Sequence, residues 1–201
     1  LSIGFVITTR TLQKYPDLAS KVDMLISVAG FTHKADFKLS KAIQFFYRTI
    51  SRTFSGKISS KIFRYTAINS AVLKTFYRYM PNARHKFANL SDEEYQRHID
   101  FEVELWHNND VRTYMNTSYG MLTVDLTGSR VDLPVQHISI GESDQYFDNA
   151  RVAEHLAEIY NSCSVEHANL DNHMPSVIAS KEDASGLIPL ATRRALSRKS
   201  K

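Results

Sequence analysis

The chain opens Leu1-Ser2-Ile3-Gly4 and runs straight into an apolar, helix-like segment. These are the last four positions of the pattern G-x-S-x-G, in which a serine sits on a sharp strand-to-helix turn with its hydroxyl exposed. The glycines flank it because a side chain there would clash with the adjoining strand and helix, so Gly4 is expected to be a close-packing glycine. A serine at this place also faces the positive end of the helix dipole, which favours developing negative charge. Two later loops carry the other groups a charge relay needs. Gly141-Glu142-Ser143-Asp144 follows an apolar run at 135–140, and Asp171-Asn172-His173-Met174-Pro175 follows a strand-like segment at 163–170. A hydroxyl, an imidazole and a carboxylate brought together support nucleophilic attack on a carbonyl.

Each position has competitors. Glu142 and Asp148 rival Asp144, and Asp148 also suits the N-cap of the helix that follows. Among the eight histidines, His137 and His167 fall inside strands, while His33, His85, His98, His107 and His155 fall on helical stretches. Asp171 and Asn172 are explained by turn chemistry alone. Cys163, the single cysteine, has no paired base and reads as a buried thiol; it excludes an internal disulfide framework and a multi-thiolate zinc site. No H-E-x-x-H pair and no phosphate-cradling glycine loop occur, so neither a metal nor a cofactor is expected.

The elements that must position these residues alternate. Phe5 to Tyr15 reads as a helix closed by Pro16, and Val22 to Gly30 as a buried strand. From Ser40 to about Asn116 apolar residues recur at helical spacing, broken at Pro81-Asn82. Ser91-Asp92-Glu93-Glu94 is a capping box opening another helix. Val135 to Ile140 reads as a second strand, Asp148 to Tyr160 as a helix, Cys163 to Leu170 as a third strand and Ala184 to Ser197 as a last helix. Strands alternating with helices predict an α/β fold with a parallel sheet, interrupted by a helical insertion of about 80 residues. Hydrophobic residues at 43% and charged residues at 23% exclude a disordered or fibrous chain.

The net charge of +4 conceals an asymmetry. Residues 34–86 hold twelve Lys and Arg against one acid, Asp36, whereas residues 87–201 hold ten basic against eighteen acidic residues. Such a basic middle suits a solvated helical face, and equally an anionic membrane surface or an acidic carrier. No recognition motif for nucleic acid appears, and no nucleic-acid partner is expected.

With the order Ser…Asp…His and the elbow-like start, the sequence resembles the C-terminal portion of the α/β-hydrolase fold superfamily, beginning inside the nucleophile elbow. The resemblance covers residues 1–32 and 119–198; 1–32 with 119–201 would form the core, and 33–118 the helical cap. It implies Ser2 as nucleophile, Asp144 as acid, His173 as base and the Ile3 backbone N–H as an oxyanion-hole donor. His173 would take the Ser2 proton and return it to the leaving group, while Asp144 holds the imidazole tautomer. The implied activity is hydrolysis of a carboxylic ester, thioester or related acyl bond; the alternative is a non-catalytic binding protein of this fold with a basic cap. The aromatic cap offers Phe45, Phe46, Phe76 and Trp106 as lining for an apolar acyl substrate, with an anionic handle permitted by the nearby cations. About a hundred residues are expected before Leu1, from the missing strands at roughly 30 residues per βαβ unit. The lone thiol fits a reducing, cytoplasmic location.

Overall fold

A computed structural model of the chain describes residues 2–79, 90–140, 144–168, 188–190 and 192–194. Two compact units divide it, Leu1–Ser40 with Thr123–Lys201, and Lys41–Leu122. The helical unit therefore begins at 41 and ends at 122, where the sequence had suggested 33 and 118.

The first unit is mixed α/β. Helix α1 (Ile3–Lys14) is followed by the short α2 (Pro16–Ala19) and strand β1 (Leu25–Val28). Pro16, expected to end the first helix, also starts the next one: it occupies the first turn of α2, where its missing N–H costs nothing. A 3-10 turn (Lys34–Asp36), strand β2 (Val131–Ser139), helix α8 (Asn149–Ile159) and strand β3 (Tyr160–His167) follow, the helices numbered between α2 and α8 belonging to the other unit. The three strands form one parallel sheet in the order β1-β2-β3. Leu25 is opposite Val135, and Val135 opposite Cys163.

Residues 135–139 of β2 are buried without alternation, the signature of a parallel strand covered on both faces. β2 starts four residues earlier than its apolar run suggested. Pro134, which cannot donate to the ladder, is accommodated by a register shift between Val131 and Pro134. β3 likewise starts early, directly after α8, because Tyr160 both ends the helix and begins the strand. Helices α1 and α2 pack on β2, and α8 packs on β2 and β3. Phe5, Leu133, Ile138, Val152, Leu156 and Ile159 fill the core between them.

The second unit consists of α3 (Lys41–Thr53), α4 (Lys57–Thr66), α5 (Ser70–Tyr79), α6 (Asp92–Asn108) and α7 (Val111–Met121). Ser91 and Glu94 close the expected capping box at the start of α6. Its small core is Ile68, Val111 and Met115, with Phe54, Phe63, Val103 and Trp106 packed against them. Of the expected last helix, residue 190 and residues 192–194 are helical, and the remainder lies outside the described residues. Among the described residues no helix is long and apolar enough to cross a membrane.

Candidate active site

Ser2 precedes the first turn of α1 with φ 44° and ψ −122°, a conformation that side chains avoid. A serine in that position is strained by about 1–3 kcal/mol unless its surroundings hold it there. They do: the Ser2 backbone N–H donates to the Val28 carbonyl at 3.0 Å, fastening the turn to the C-terminal end of β1. The Ser2 side chain does not cap α1, although serine is a favoured cap, and it makes no hydrogen bond with the described residues. Ile3 is the first residue of α1, so its N–H has no partner within the helix. A hydroxyl that the helix leaves unused, beside an N–H without a helical partner, can attack a carbonyl and stabilise the resulting oxyanion.

Gly4 is not the tight glycine the sequence suggested. A Cβ built there meets no described atom within 4 Å. The constrained glycine is Gly30, after β1, where a Cβ would lie 2.3 Å from Ser27 Oγ and 2.7 Å from Phe5 Cδ1. Close approach of α1 to the sheet is thus secured by the loop after β1. Residue 29, an alanine, adopts φ 48° to make that turn.

Asp144 is buried beyond the C-terminal end of β2. Its Oδ1 accepts the backbone N–H groups of Tyr146 at 2.9 Å and Phe147 at 3.1 Å, an Asx-type turn that fixes the carboxylate. The loop after β1 clamps this segment. Phe37 and Phe147 form an isolated antiparallel bridge, their rings 4.8 Å apart, and Phe31 stacks on Phe147 at 4.9 Å. Lys38 donates from its backbone to Tyr146 O and from Nζ to Asp144 O, both at 2.8 Å. The sequence showed Lys38 only as one more cation; its role depends on two loops meeting. Of the competing acids, Asp148 caps α8 through the Arg151 N–H. Glu142 and His173 lie outside the described residues.

Several described histidines have other partners. His137, in β2, is buried with Nδ1 3.0 Å from Ser27 Oγ, and its Nε2 lacks a hydrogen-bond partner among the described residues. Burial pushes its pKa down to about 4; the nearby Asp144 opposes this shift and His167 reinforces it. His167 Nδ1 lies 2.6 Å from Ser139 Oγ. His107 Nε2 is 3.1 Å from the Ile68 carbonyl, in the helical unit.

His33, Asp36 and His155 form the one cluster among the described residues whose ligand-type atoms gather within 4.8 Å. Hydrogen bonds occupy those atoms. The fully buried Asp36 receives the N–H groups of Thr32 and His33 on Oδ2, each at 2.9 Å, and His155 Nδ1 on Oδ1 at 2.5 Å. His33 Nδ1 accepts the Ala35 N–H, which leaves the proton of the neutral ring on Nε2, facing Asp125 at 3.4 Å. The cluster thus satisfies a buried carboxylate with hydrogen bonds and straps α8 to the loop after β1, helped by the Asp148 N–H on the Asp36 carbonyl at 2.7 Å.

The aromatic residues suggested as a substrate lining all lie in the helical unit. Phe45, Phe46 and Phe76 are exposed, by 61%, 54% and 41%. Trp106 packs on the unit's core, edge-on to Tyr114 at 4.4 Å. Cys163 is half-buried in β3, and burial raises its pKa, so its thiol stays protonated and weakly reactive. Compared with known proteins, the chain matches no family model and no curated sequence.

Proposed function

We propose that the chain is part of a serine hydrolase of the α/β-hydrolase type, cleaving a carboxylic ester, thioester or related acyl bond. The observation that carries this reading is the backbone of Ser2: a non-glycine residue at positive φ, at the start of α1, hydrogen-bonded to the end of β1, with its hydroxyl unused by the helix. Asp144, buried and held past the end of the neighbouring parallel strand, supports it, as does the parallel strand order β1-β2-β3. In this reading His173 accepts the Ser2 proton as Oγ attacks the acyl carbon, then delivers it to the leaving group. Asp144 keeps the imidazole in the productive tautomer, and the Ile3 N–H stabilises the oxyanion. A cytoplasmic setting would suit the single free thiol.

The test is covalent labelling of the chain by a fluorophosphonate probe. Labelling is expected for the wild type, and should be abolished in Ser2→Ala and strongly slowed in His173→Ala. Labelling that persists in Ser2→Ala, or an unlabelled but folded wild type, rejects the assignment.

A further inference from the structure

Helices α3 and α4 are turned opposite to the usual sense. In a globular helix the apolar stripe faces the core and the small polar residues face water. Here the residue that α4 buries is Ser60 and the residue that α3 buries is Ser51. On α4, Ile58, Ile62 and Tyr65 are exposed by 75%, 54% and 78%. Their spacing of four and three residues puts them on one stripe, and at 3.6 residues per turn that stripe lies roughly opposite Ser60 and the core-packed Phe63. Lys57 and Lys61 are also exposed and run one residue behind Ile58 and Ile62, along the margin of the stripe. Phe45 and Phe46 stand exposed on α3, with the Arg48 guanidinium 5.6 Å from the Phe45 ring centroid. From residue 41 to residue 79 there are eight Lys and Arg and no Asp or Glu.

We propose that the outward stripes of α3 and α4 dock on an anionic bilayer, with the isoleucines and aromatic rings entering the headgroup–acyl boundary and the cations pairing with lipid phosphates. Both halves of the pattern are used: apolar burial supplies depth, and the unbroken positive charge selects an anionic leaflet. A phosphodiester backbone offers nothing to Ile58 or Ile62. A fluid bilayer receives separate stripes without shape matching, which a folded protein partner would require. The proposal involves no residue of the candidate triad, and it gives Phe45 and Phe46 to the bilayer in place of a substrate lining.

The test is co-sedimentation of the full chain with vesicles of phosphatidylglycerol and phosphatidylcholine, beside vesicles of phosphatidylcholine alone. Binding is expected to the mixed vesicles, to weaken at high salt, and to fall roughly tenfold or more both in Ile58→Ser/Ile62→Ser/Tyr65→Ser and in Lys57→Glu/Lys61→Glu. Circular dichroism checks that each variant is folded; should the triple variant not fold, the exposed lysine pair decides. Failure to bind the mixed vesicles overturns the proposal, as does equal binding by the folded variants. Retention on single-stranded RNA or on an acidic protein without vesicle binding also overturns it.

Discussion

The Ser2 backbone N–H donates to the Val28 carbonyl at 3.0 Å, so the residue that precedes α1 is tied to the residue that ends β1. This bond fixes a strained serine at one end of the sheet, and the Phe37–Phe147 bridge fixes Asp144 beyond the next strand. The candidate nucleophile is therefore held by a backbone contact, and the candidate acid by the bridge together with the turn that its own carboxylate closes.

Asp144→Asn separates the turn from the chemistry. An asparagine oxygen can still accept the Tyr146 and Phe147 N–H groups, so unfolding in urea should change by only about 1 kcal/mol. Fluorophosphonate labelling of Ser2 should nevertheless slow on the order of a thousandfold, because a neutral amide cannot stabilise the imidazolium. An unchanged labelling rate would show that the carboxylate serves the turn alone.

Lys38→Met removes the Nζ donor on the Asp144 carbonyl and keeps the backbone bond to Tyr146. Losing one such bond at an exposed lysine should slow labelling roughly three- to tenfold, with Asp144→Asn/Lys38→Met no slower than Asp144→Asn. Additive losses in the double variant would mean that Lys38 does not act through the acid.

The two glycines should respond in opposite ways. Gly30→Ala forces a methyl against Ser27 and the buried Phe5 ring, and should lower stability by about 1–3 kcal/mol. Gly4→Ala meets open space in the first turn of α1 and should leave stability unchanged, or raise it by up to about 1 kcal/mol. Chemical denaturation of both variants measures the contrast, and equal losses would contradict it.

Stability should fall on acidification through His137. Its folded pKa of about 4 lies below the ordinary value of 6.5, so the unfolded chain binds the proton first as pH drops. The contribution is fully present above the ordinary value and is lost between there and the folded value, on the order of 3 kcal/mol in all. His137→Gln, which keeps a polar amide toward Ser27 and cannot titrate, should flatten the pH dependence of unfolding over this range. A profile as steep as wild type would place the sensitive group elsewhere.

The amino-acid sequence by itself determined the local features. The 3.6-residue periodicity marked the helices, and the Ser91–Glu94 capping box opens α6 as read. Apolar runs marked β1 and β2, and residues 135–139 of β2 are buried without alternation, as a strand covered on both faces requires; β3 is largely polar and mostly exposed, so that signal is missing from it. The strand starts were displaced where a residue serves two elements: Tyr160 closes α8 and begins β3, and Pro134 sits inside β2. Tertiary structure alone decided what depends on segments distant in sequence. Asp36 was counted as the single acid in a basic stretch, yet it is buried and met by His155, 119 residues away. Gly30 looked like a strand terminator and is instead the point where α1 touches the sheet. The stripe of Ile58, Ile62 and Tyr65 was visible as a periodicity, but a period does not say which way a face points. The core around Ile68, Val111 and Met115 takes the opposite side of α4, and that choice leaves the apolar side in water.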